Sequence, residues 1–394
     1  MNDVRKRIFY FAPISTDSIN QRFGCDFPTG AASNKVLQVC WALRSVGVKS
    51  IVVSSAIPVR FFSIDKLSIN FYTDDVCFSK IISIGSGALR RFSASFSYFF
   101  YAKLYVRKDD VVIFYNPFPE YILAALYLKL TGRPAVLDLE DIPIFVWNSP
   151  SDVVYWLSWK LLISLCQRRY LTASRSIGER CNYSKFLPVH GVVPINAKRT
   201  PKRLDGDRLE ILFGGTINQG AGLGLFVDAV SLLCDLEPDL PVRFVITGYF
   251  PIDYFSEFAR RVMSESNFEF EILPNLTMSE YRNLVDRVDV GLSLKLPSQS
   301  VGTTTFPSKL IEYAAYGLLV CTLPVGDVLE IFSETTACIL ESEDPKVLAN
   351  AILSVVRERE KFATIAGRGC DVIFEKYTRH QVGRQILEFL GEKS

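Results

Sequence analysis

Short apolar runs alternate with amphipathic segments along the first half of the chain. Two of the amphipathic segments, Asn34–Val46 and Tyr121–Leu130, repeat apolar residues with the spacing of a helix. The apolar runs have the length of strands and include Ile8–Pro13, Lys49–Ser54, Val111–Tyr115, Ala135–Leu139 and Tyr170–Ala173. Strands that alternate with helices in this way predict a parallel sheet with helices on both faces.

The same alternation begins again after residue 207. Its strand-like runs are Leu209–Phe213, Val242–Thr247, Phe268–Leu273, Val288–Leu294 and Leu318–Thr322. The stretch before it, Pro188–Asp207, is rich in Pro, Lys and Arg and lacks periodicity, which is typical of a linker. We therefore predict an α/β protein of two doubly wound, Rossmann-like domains with parallel sheets, residues 1–190 and 208–376, joined by a linker at 191–207. A last helix, residues 377–394, is expected to pack back toward the first domain.

Length and composition narrow the function classes. The chain has 394 residues, which favours two domains, and two doubly wound sheets that face each other place ligands in a cleft. The net charge of +2 provides no basic field for nucleic acid. The nine cysteines include no Cys-x-x-Cys pair and the two histidines are distant, so we expect reduced thiols, a cytoplasmic protein, and neither a metal nor another cofactor. No apolar run reaches the roughly 20 residues that span a bilayer.

One block in the last third of the chain carries the clearest chemistry. A Thr-rich segment, Thr303–Thr305, leads through Pro307 into a predicted helix, and Glu312 lies one turn further along it. The free N–H groups of a helix start suit a phosphate, whereas a carboxylate accepts hydrogen bonds from hydroxyls. The block therefore favours a ligand with both a phosphate and a diol, such as a nucleotide sugar. The alternative is an ordinary helix start with a solvated glutamate.

The order of these motifs resembles the GT-B glycosyltransferases, specifically the retaining enzymes of glycosyltransferase family 4, the group 1 glycosyltransferases. The segments that carry the resemblance are Phe306-Pro307-Ser308-Lys309 before Glu312, Leu209–Gly215 followed by Gly220–Val230, Phe244–Gly248, Pro188–Val192, Phe27–Ala32 and Val136–Pro143. The resemblance implies the GT-B fold, transfer of a sugar from a nucleotide sugar, and no essential metal.

The resemblance also implies roles for individual residues. Glu312 would hold the ribose hydroxyls of the nucleotide, Gly30 would let the backbone approach the sugar donor closely, and Asp141 would face the acceptor as a catalytic or orienting residue. The pyrophosphate or the sugar would be met by Gly214, Gly215, Thr216, Gly248, Thr303, Thr304 and Thr305. For Asp141, the cap of a helix is the alternative.

Three positions depart from the family pattern. Thr304 stands where the first of two glutamates is usual, and Thr216 and Ala221 stand where an arginine and a lysine normally neutralise the leaving diphosphate. Loss of that charge would cost several kcal/mol of barrier, or roughly a thousandfold in rate. Lys309, near the helix start, and Lys295, after a strand, are the candidate catalytic cations that replace it. The alternative for Lys309 is an ion pair with the glutamate three residues on, worth only about a few tenths of a kcal/mol.

Two segments, Phe92–Tyr105 and Phe145–Tyr170, combine many aromatic residues with Lys and Arg. That combination favours a membrane interface, and the alternative is burial of the rings in the first domain. We therefore expect a cytoplasmic, retaining glycosyltransferase, peripheral at the inner face of the cell membrane, with a glycan or lipid-linked acceptor in bacterial surface polysaccharide or lipopolysaccharide synthesis. The alternative is a catalytically impaired GT-B protein that binds a glycan or nucleotide or acts as a scaffold partner.

Overall fold

The computed structural model describes residues 7–23, 30–56, 68–73, 76–81, 83, 87–140, 150–166, 169–180, 185–274, 276–298 and 306–391. The chain forms two compact units. Met1–Val192 and Arg379–Ser394 belong to one, called the first unit, and Val193–Thr378 forms the other, the second unit.

Strands and helices alternate through both units. The strands are β1 (Arg7–Phe11), β2 (Lys49–Ser54), β3 (Ser68–Thr73), β4 (Val76–Ile81), β5 (Val111–Tyr115), β6 (Ala135–Leu139), β7 (Tyr170–Thr172), β8 (Phe186–Pro188), β9 (Leu209–Thr216), β10 (Val242–Tyr249), β11 (Glu269–Pro274), β12 (Val290–Ser293), β13 (Leu319–Thr322) and β14 (Cys338–Ile339). The helices are α1 (Asp17–Phe23), α2 (Ala31–Ser45), α3 (Gly87–Tyr105), α4 (Ile122–Leu130), α5 (Pro150–Leu165), α6 (Arg175–Arg180), α7 (Leu223–Leu236), α8 (Ile252–Glu265), α9 (Met278–Arg287), α10 (Lys309–Ala315), α11 (Val328–Ile331), α12 (Pro345–Arg357), α13 (Arg359–Lys376) and α14 (Arg379–Phe389). Within the part of the chain that the structure describes, no helix is both long and apolar enough to cross a membrane.

The first unit is built on a sheet of eight strands in the order β3-β4-β2-β1-β5-β6-β7-β8. Neighbouring strands are parallel except at the edge, where β3 runs antiparallel to β4. Helices α2 and α14 pack on one face of the sheet, and α3, α4 and α5 pack on the other. The central strand β5 is therefore buried along its whole length, which explains its continuous apolar sequence.

The last helix is in close contact with α2. A Cβ placed on Gly383 of α14 would lie 2.2 Å from the carbonyl oxygen of Ala42, so only glycine allows this approach. Val382 and Ile386 are buried in the same cluster as Val39 of α2. The C-terminal helix therefore belongs to the first unit, although the whole second unit precedes it in sequence.

The second unit is a sheet of six parallel strands in the order β11-β10-β9-β12-β13-β14. This strand order is that of a Rossmann sheet. From β9 the chain first adds β10 and β11 toward one edge of the sheet and then β12, β13 and β14 toward the other, so the strand order reverses between β9 and β12. Residues 193–207, part of the predicted linker, lie along this unit: Lys202 N donates to Gly317 O at 3.1 Å, and Leu204 is buried. The two sheets confirm the predicted α/β class with two doubly wound parallel sheets.

Two strands of the second sheet are longer than the sequence predicted. β9 and β10 continue to Thr216 and Tyr249, so that Gly248 still pairs with Gly215. Both glycines have a positive φ, +117° at Gly215 and +109° at Gly248, which side chains rarely allow. Glycine usually weakens a strand, and for that reason the sequence pattern placed both strand ends too early.

The helix after the Thr-rich segment is shorter than expected. α10 has seven residues and begins at Lys309, after the Pro307 that was predicted in its first turn. Pro307 remains in contact with it through its carbonyl oxygen, which accepts from Leu310 N at 3.0 Å. A helix of two turns adds little through its dipole, so the side chains around it decide what this region can bind.

Candidate active site

The carboxyl ends of β9 and β12 lie where the strand order of the second sheet reverses. Ligands of doubly wound sheets bind in the crevice at such a point. Gly214 and Gly215 lie near the end of β9, and Gly248 lies against Gly215: a Cβ on Gly248 would be 2.3 Å from the Gly215 carbonyl oxygen. This edge of the sheet consequently presents backbone without side chains.

Lys309 lays its side chain over that backbone. Its Nζ is 3.2 Å from the position that a Cβ would take on Gly215 and 3.5 Å from the corresponding position on Gly214. The same nitrogen is 5.3 Å from the ring centroid of Tyr281, within the range of a cation–π contact. Among the described residues no carboxylate forms an ion pair with it, so the alternative interpretation, an ion pair with Glu312, is not realised.

The charge of Lys309 is therefore poorly compensated. Burial lowers the pKa of Lys309, and the carboxylate of Glu312 counters this only in part. A desolvated cation without a close carboxylate gains stability when an anion comes into contact with it. Of the candidate residues that the structure describes in the second unit, Lys309 is the best placed to receive a phosphate.

Glu312 lies one turn after Lys309 on α10. The hydroxyl of Tyr281 donates a hydrogen bond to its Oε2 at 3.3 Å. Burial raises the pKa of Glu312, while Lys309 and the Tyr281 hydrogen bond lower it. The other carboxylate oxygen, Oε1, accepts no hydrogen bond from the described residues and can accept one from a ligand hydroxyl.

Tyr281 links the two charged residues, and the sequence analysis missed it. It lies on α9, whose start is fixed by a capping box: Thr277 N donates to Glu280 Oε2 at 2.8 Å, and Glu280 N donates to Thr277 Oγ1 at 3.3 Å. The Thr-x-x-Glu pattern is a signal for the start of α9. Nothing in that pattern relates Tyr281 to a glutamate 31 positions later.

Lys295, the second candidate cation, follows β12 at the same edge of the sheet. The backbone around it holds the turn after β9, because Leu296 N donates to Gly220 O at 3.1 Å. In addition, a Cβ on Gly222 would lie 2.4 Å from the Leu294 carbonyl oxygen. Lys295 therefore lies beside the glycine turn, whereas Lys309 lies on the glycine backbone itself.

The other predicted site residues are dispersed. Thr216 is exposed at the end of β9, and Ala221 lies in a turn where its N–H donates to Asn218 Oδ1 at 3.0 Å, so neither position supplies a cation. Gly30 precedes α2 in the first unit, and a Cβ on it would meet nothing within 4 Å, so packing does not require glycine there. Four predicted residues lie outside the described residues: Asp141, Thr303, Thr304 and Thr305.

A separate charged cluster lies at the carboxyl end of β6 in the first unit. Lys35, near the start of α2, donates to the Val189 carbonyl oxygen at 2.9 Å and pairs with Glu140 Oε1 at 2.9 Å. Asp138 is fully buried beside them, and the hydroxyl of Tyr10 donates to its Oδ2. Its Oδ1 has no hydrogen-bond partner among the described residues.

The charges of this cluster compensate one another. Burial acts to lower the pKa of Lys35, but the carboxylates of Glu140 and Asp138 outweigh burial and raise that pKa. Burial raises the pKa of Asp138 to about 6, against the opposing effect of Lys35. Lys35 thus ties α2 to the ends of β6 and β8, with its ammonium already satisfied.

A comparison with known families decides the class of the protein. Residues 208–358 match the family model described as glycosyl transferases group 1. The protein carries a group 1 glycosyltransferase domain. Its group 1 domain contains Lys309, Glu312, Tyr281 and the glycines of β9 and β10, and the predicted family resemblance is confirmed over this part of the chain. A search of curated proteins finds no match.

Solved structures similar to the glycosyltransferase establish the GT-B fold. HepE of Anabaena in complex with UDP and glucose has a TM-score of 0.68 at 14% identity, over 99% of this chain and 100% of that chain. HepE in complex with UDP-glucose has a TM-score of 0.65 at 14% identity, over 98% and 99%. An alpha,alpha-trehalose-phosphate synthase (UDP-forming) from Burkholderia xenovorans, in complex with glucose-6-phosphate, has a TM-score of 0.64 at 12% identity, over 98% and 100%.

Several chemical groups meet at this edge of the second sheet. Among the described residues, Lys309 contributes an ammonium, Glu312 a carboxylate, Tyr281 a phenol and β9 the backbone of its glycines, while Lys295 lies beside the glycine turn. No cluster of three or more His, Cys, Asp or Glu side chains that could hold a metal ion occurs in the described ranges. The seven cysteines of these ranges are free thiols, and all are buried except the half-buried Cys338.

Proposed function

We propose that the glycosyltransferase takes its sugar from a nucleotide-sugar donor bound at the carboxyl edge of the second sheet. The observation that carries this proposal is the desolvated ammonium of Lys309, which has no ion pair among the described residues and lies over Gly214 and Gly215. A diphosphate resting on that backbone supplies the missing anion. The absence of side chains on the glycines leaves room for its oxygens.

Lys309 takes the part of the two family cations that this chain lacks. When the bond between sugar and phosphate breaks, negative charge grows on the phosphate oxygens, and a fixed ammonium in a desolvated site stabilises it. Thr216 and Ala221 supply no charge at the usual positions. Lys295, beside the turn rather than on the glycine backbone, is the second candidate.

Glu312 recognises the ribose of the nucleotide in this proposal. Its Oε1 accepts a hydrogen bond from a ribose hydroxyl, while the hydroxyl of Tyr281 holds Oε2 and fixes the orientation of the carboxylate. Lys309 then lies between the carboxylate and the diphosphate, with an attractive interaction on either side. Thr303, Thr304 and Thr305 are proposed to contact the sugar or the phosphates.

The remaining parts of the proposal concern the donor, the reaction and the acceptor. Because the HepE structures hold UDP with glucose, or UDP-glucose, we take UDP-glucose as the first donor to test. The reaction retains the configuration of the sugar, and the leaving phosphate assists deprotonation of the acceptor, with no metal or other cofactor. The acceptor is a glycan or a lipid-linked glycan at the cytoplasmic face of the membrane, in bacterial surface polysaccharide or lipopolysaccharide synthesis, and Asp141 faces it.

Thermal unfolding with a panel of nucleotides tests the donor site. A ligand at roughly a hundred times its Kd stabilises the folded state by about 3 kcal/mol, which raises Tm by several degrees. We expect UDP to do this, uridine to do it less, and Glu312→Ala to lose most of the UDP effect. Glu334→Ala, which removes an exposed glutamate of the same unit, should behave as wild type. A panel without any shift would contradict the proposal.

The second candidate function is a catalytically impaired GT-B protein that binds a nucleotide or glycan or acts as a scaffold. The uncharged Thr216 and Ala221 favour it, because they remove the usual cations of the leaving group. Release of UDP from UDP-sugars, with and without a membrane extract as acceptor source, separates the two functions. If the protein binds UDP but shows no Lys309-dependent release of UDP from UDP-sugars, the result would support the catalytically impaired protein.

A further inference from the structure

Three neighbouring helices of the first unit, α3, α4 and α5, are apolar on their inner and on their outer sides. The inner sides are buried on the sheet, as with Tyr98, Leu128 and Leu162. The outer sides carry exposed apolar residues, which together we call the outer face. These residues are Leu89, Phe92, Phe96, Phe100, Leu104, Leu126, Leu130, Val153, Val154, Leu157 and Leu161.

The outer face follows helical spacing. On α3, the exposed Phe92, Phe96 and Phe100 recur every four residues, on the side opposite the buried Tyr98 and Ala102. Phe92 is 64% exposed, and its ring contacts that of Phe96 with 4.9 Å between centroids. A helix that is apolar all round is expected where both of its sides are covered, and clustered apolar exposure marks an interaction surface.

Basic residues accompany the outer face. The three helices contain five basic residues and one acidic residue: Arg90, Arg91, Lys103, Lys129, Lys160 and Asp152. Lys103 and Lys160 are exposed among the apolar residues themselves. The Nζ of Lys160 lies 5.9 Å from the ring centroid of Trp156, so an aromatic ring and a cation lie side by side on this helix.

This pairing of apolar and basic groups selects one kind of partner. A wholly apolar partner would strip water from the lysines without supplying a counter-charge. The interface of an anionic bilayer provides apolar acyl chains below and phosphate groups above, and long lysine side chains reach from one to the other. The charge balance of the three helices is complementary to such an interface.

We propose that the outer face docks the glycosyltransferase on an anionic lipid bilayer, with the Phe and Leu side chains among the upper acyl chains and the lysines among the headgroups. The proposal rests on the proposed function only in giving docking a purpose, which is access to a lipid-linked acceptor. Docking is measured without any sugar transfer, so the two proposals can fail separately.

Sedimentation with vesicles tests the docking. We expect the full-length protein to bind mixed phosphatidylglycerol–phosphatidylcholine vesicles at least about tenfold more tightly than pure phosphatidylcholine vesicles, with binding weakened by salt. The double variant Phe92→Ser, Phe96→Ser should lower binding to the anionic vesicles by about tenfold or more. Leu157→Ser with Leu161→Ser on α5 should lower it too, and serves if the α3 variant is unstable.

Matched variants distinguish docking from general stickiness. Lys103→Glu with Lys160→Glu should remove the preference for anionic vesicles. Leu236→Ser with Leu329→Ser, both 62% exposed in the second unit, should leave binding unchanged. The proposal would be overturned if the protein bound both vesicle types equally. It would also be overturned if the Leu236→Ser, Leu329→Ser control lost as much vesicle binding as the Phe92→Ser, Phe96→Ser variant. A dimer in gel filtration that the Phe92→Ser, Phe96→Ser variant converts to a monomer would also overturn it, because the outer face would then be an interface between proteins.

Discussion

Each unit of the glycosyltransferase keeps a lysine near the carboxyl edge of its sheet, and the two lysines are partnered in opposite ways. Lys35 in the first unit has the carboxylate of Glu140 and the carbonyl oxygen of Val189, each at 2.9 Å. Lys309 in the second unit has a tyrosine ring and the backbone of two glycines. The net effect of the surroundings raises the pKa of Lys35 and lowers that of Lys309.

The difference separates a structural cation from one that is ready for a ligand. The charge of Lys35 is already used to hold α2 to the ends of two strands, so its removal should damage the fold. The charge of Lys309 costs free energy until an anion arrives, so its removal should damage ligand binding and leave the fold intact. Both lysine side chains are little exposed, so burial alone does not distinguish the structural cation from the one that is ready for a ligand.

The largest effect is expected for Lys309→Met. Loss of the ammonium over the glycines should lower the rate of UDP release from a UDP-sugar by roughly a thousandfold. Thermal unfolding should be unchanged or shifted upward, because a poorly compensated charge is removed. A rate within about tenfold of wild type would show that Lys309 does not stabilise the leaving phosphate, and would favour Lys295 as the cation that does.

The next effect is expected for Lys35→Met, in stability rather than in rate. The change leaves Glu140 without its cation and the Val189 carbonyl oxygen without its donor, at a cost of about 3 kcal/mol in the free energy of unfolding. Urea unfolding measures this cost, with Lys309→Met as the matched control. A stable Lys35→Met variant with a thousandfold lower rate would reverse the assignment of the two lysines.

A smaller effect concerns the proton on Asp138. Its ordinary pKa of 3.8 is raised to about 6 in the folded protein, so the folded state holds this proton more tightly than the unfolded state. The resulting stabilisation is complete below the ordinary pKa and is lost as the pH rises through 6. We expect the free energy of unfolding to fall by on the order of 2–3 kcal/mol between about pH 4 and pH 7 from this residue. Asp138→Asn should remove that component in urea titrations at each pH; an unchanged pH profile would show that Asp138 has no raised pKa.

The smallest effect expected is a pH dependence of UDP binding. The lowered pKa of Lys309 means that its charge is lost at a lower pH than that of an ordinary lysine, so affinity should begin to fall on the alkaline side by several-fold. In Lys309→Arg the guanidinium keeps its charge, and titration calorimetry should find the decline displaced to higher pH. The same decline in wild type and in Lys309→Arg would assign it to another group.

The sequence predicted the framework of the fold well, because buried parallel strands are continuous apolar runs. Val111–Tyr115 and Ala135–Leu139 were predicted with their observed limits. Two strand ends were placed too early where glycine broke the pattern, at Gly215 and Gly248, since pairing between strands kept residues in β9 and β10 that propensity excluded.

The sequence predicted only those residues of the candidate site that lie close together along the chain. Lys309 and Glu312 are three residues apart and were identified together. The position of the Lys309 ammonium over Gly215 and the contact with Tyr281 depend on how α9 and α10 pack, which no local pattern encodes. For the same reason Lys35 gave no signal, because its partner Val189 is 154 positions away.

The contact between Gly383 and Ala42 has a consequence for the order in which the protein is made. Domains tend to fold as they leave the ribosome, at about 5–20 residues per second, so residues 193–378 are complete before α14 has been synthesised. Until then, the face of α2 that Val382 and Ile386 cover remains open to water. The first unit therefore cannot complete its packing until α14, which follows the whole second unit in the chain, has been made.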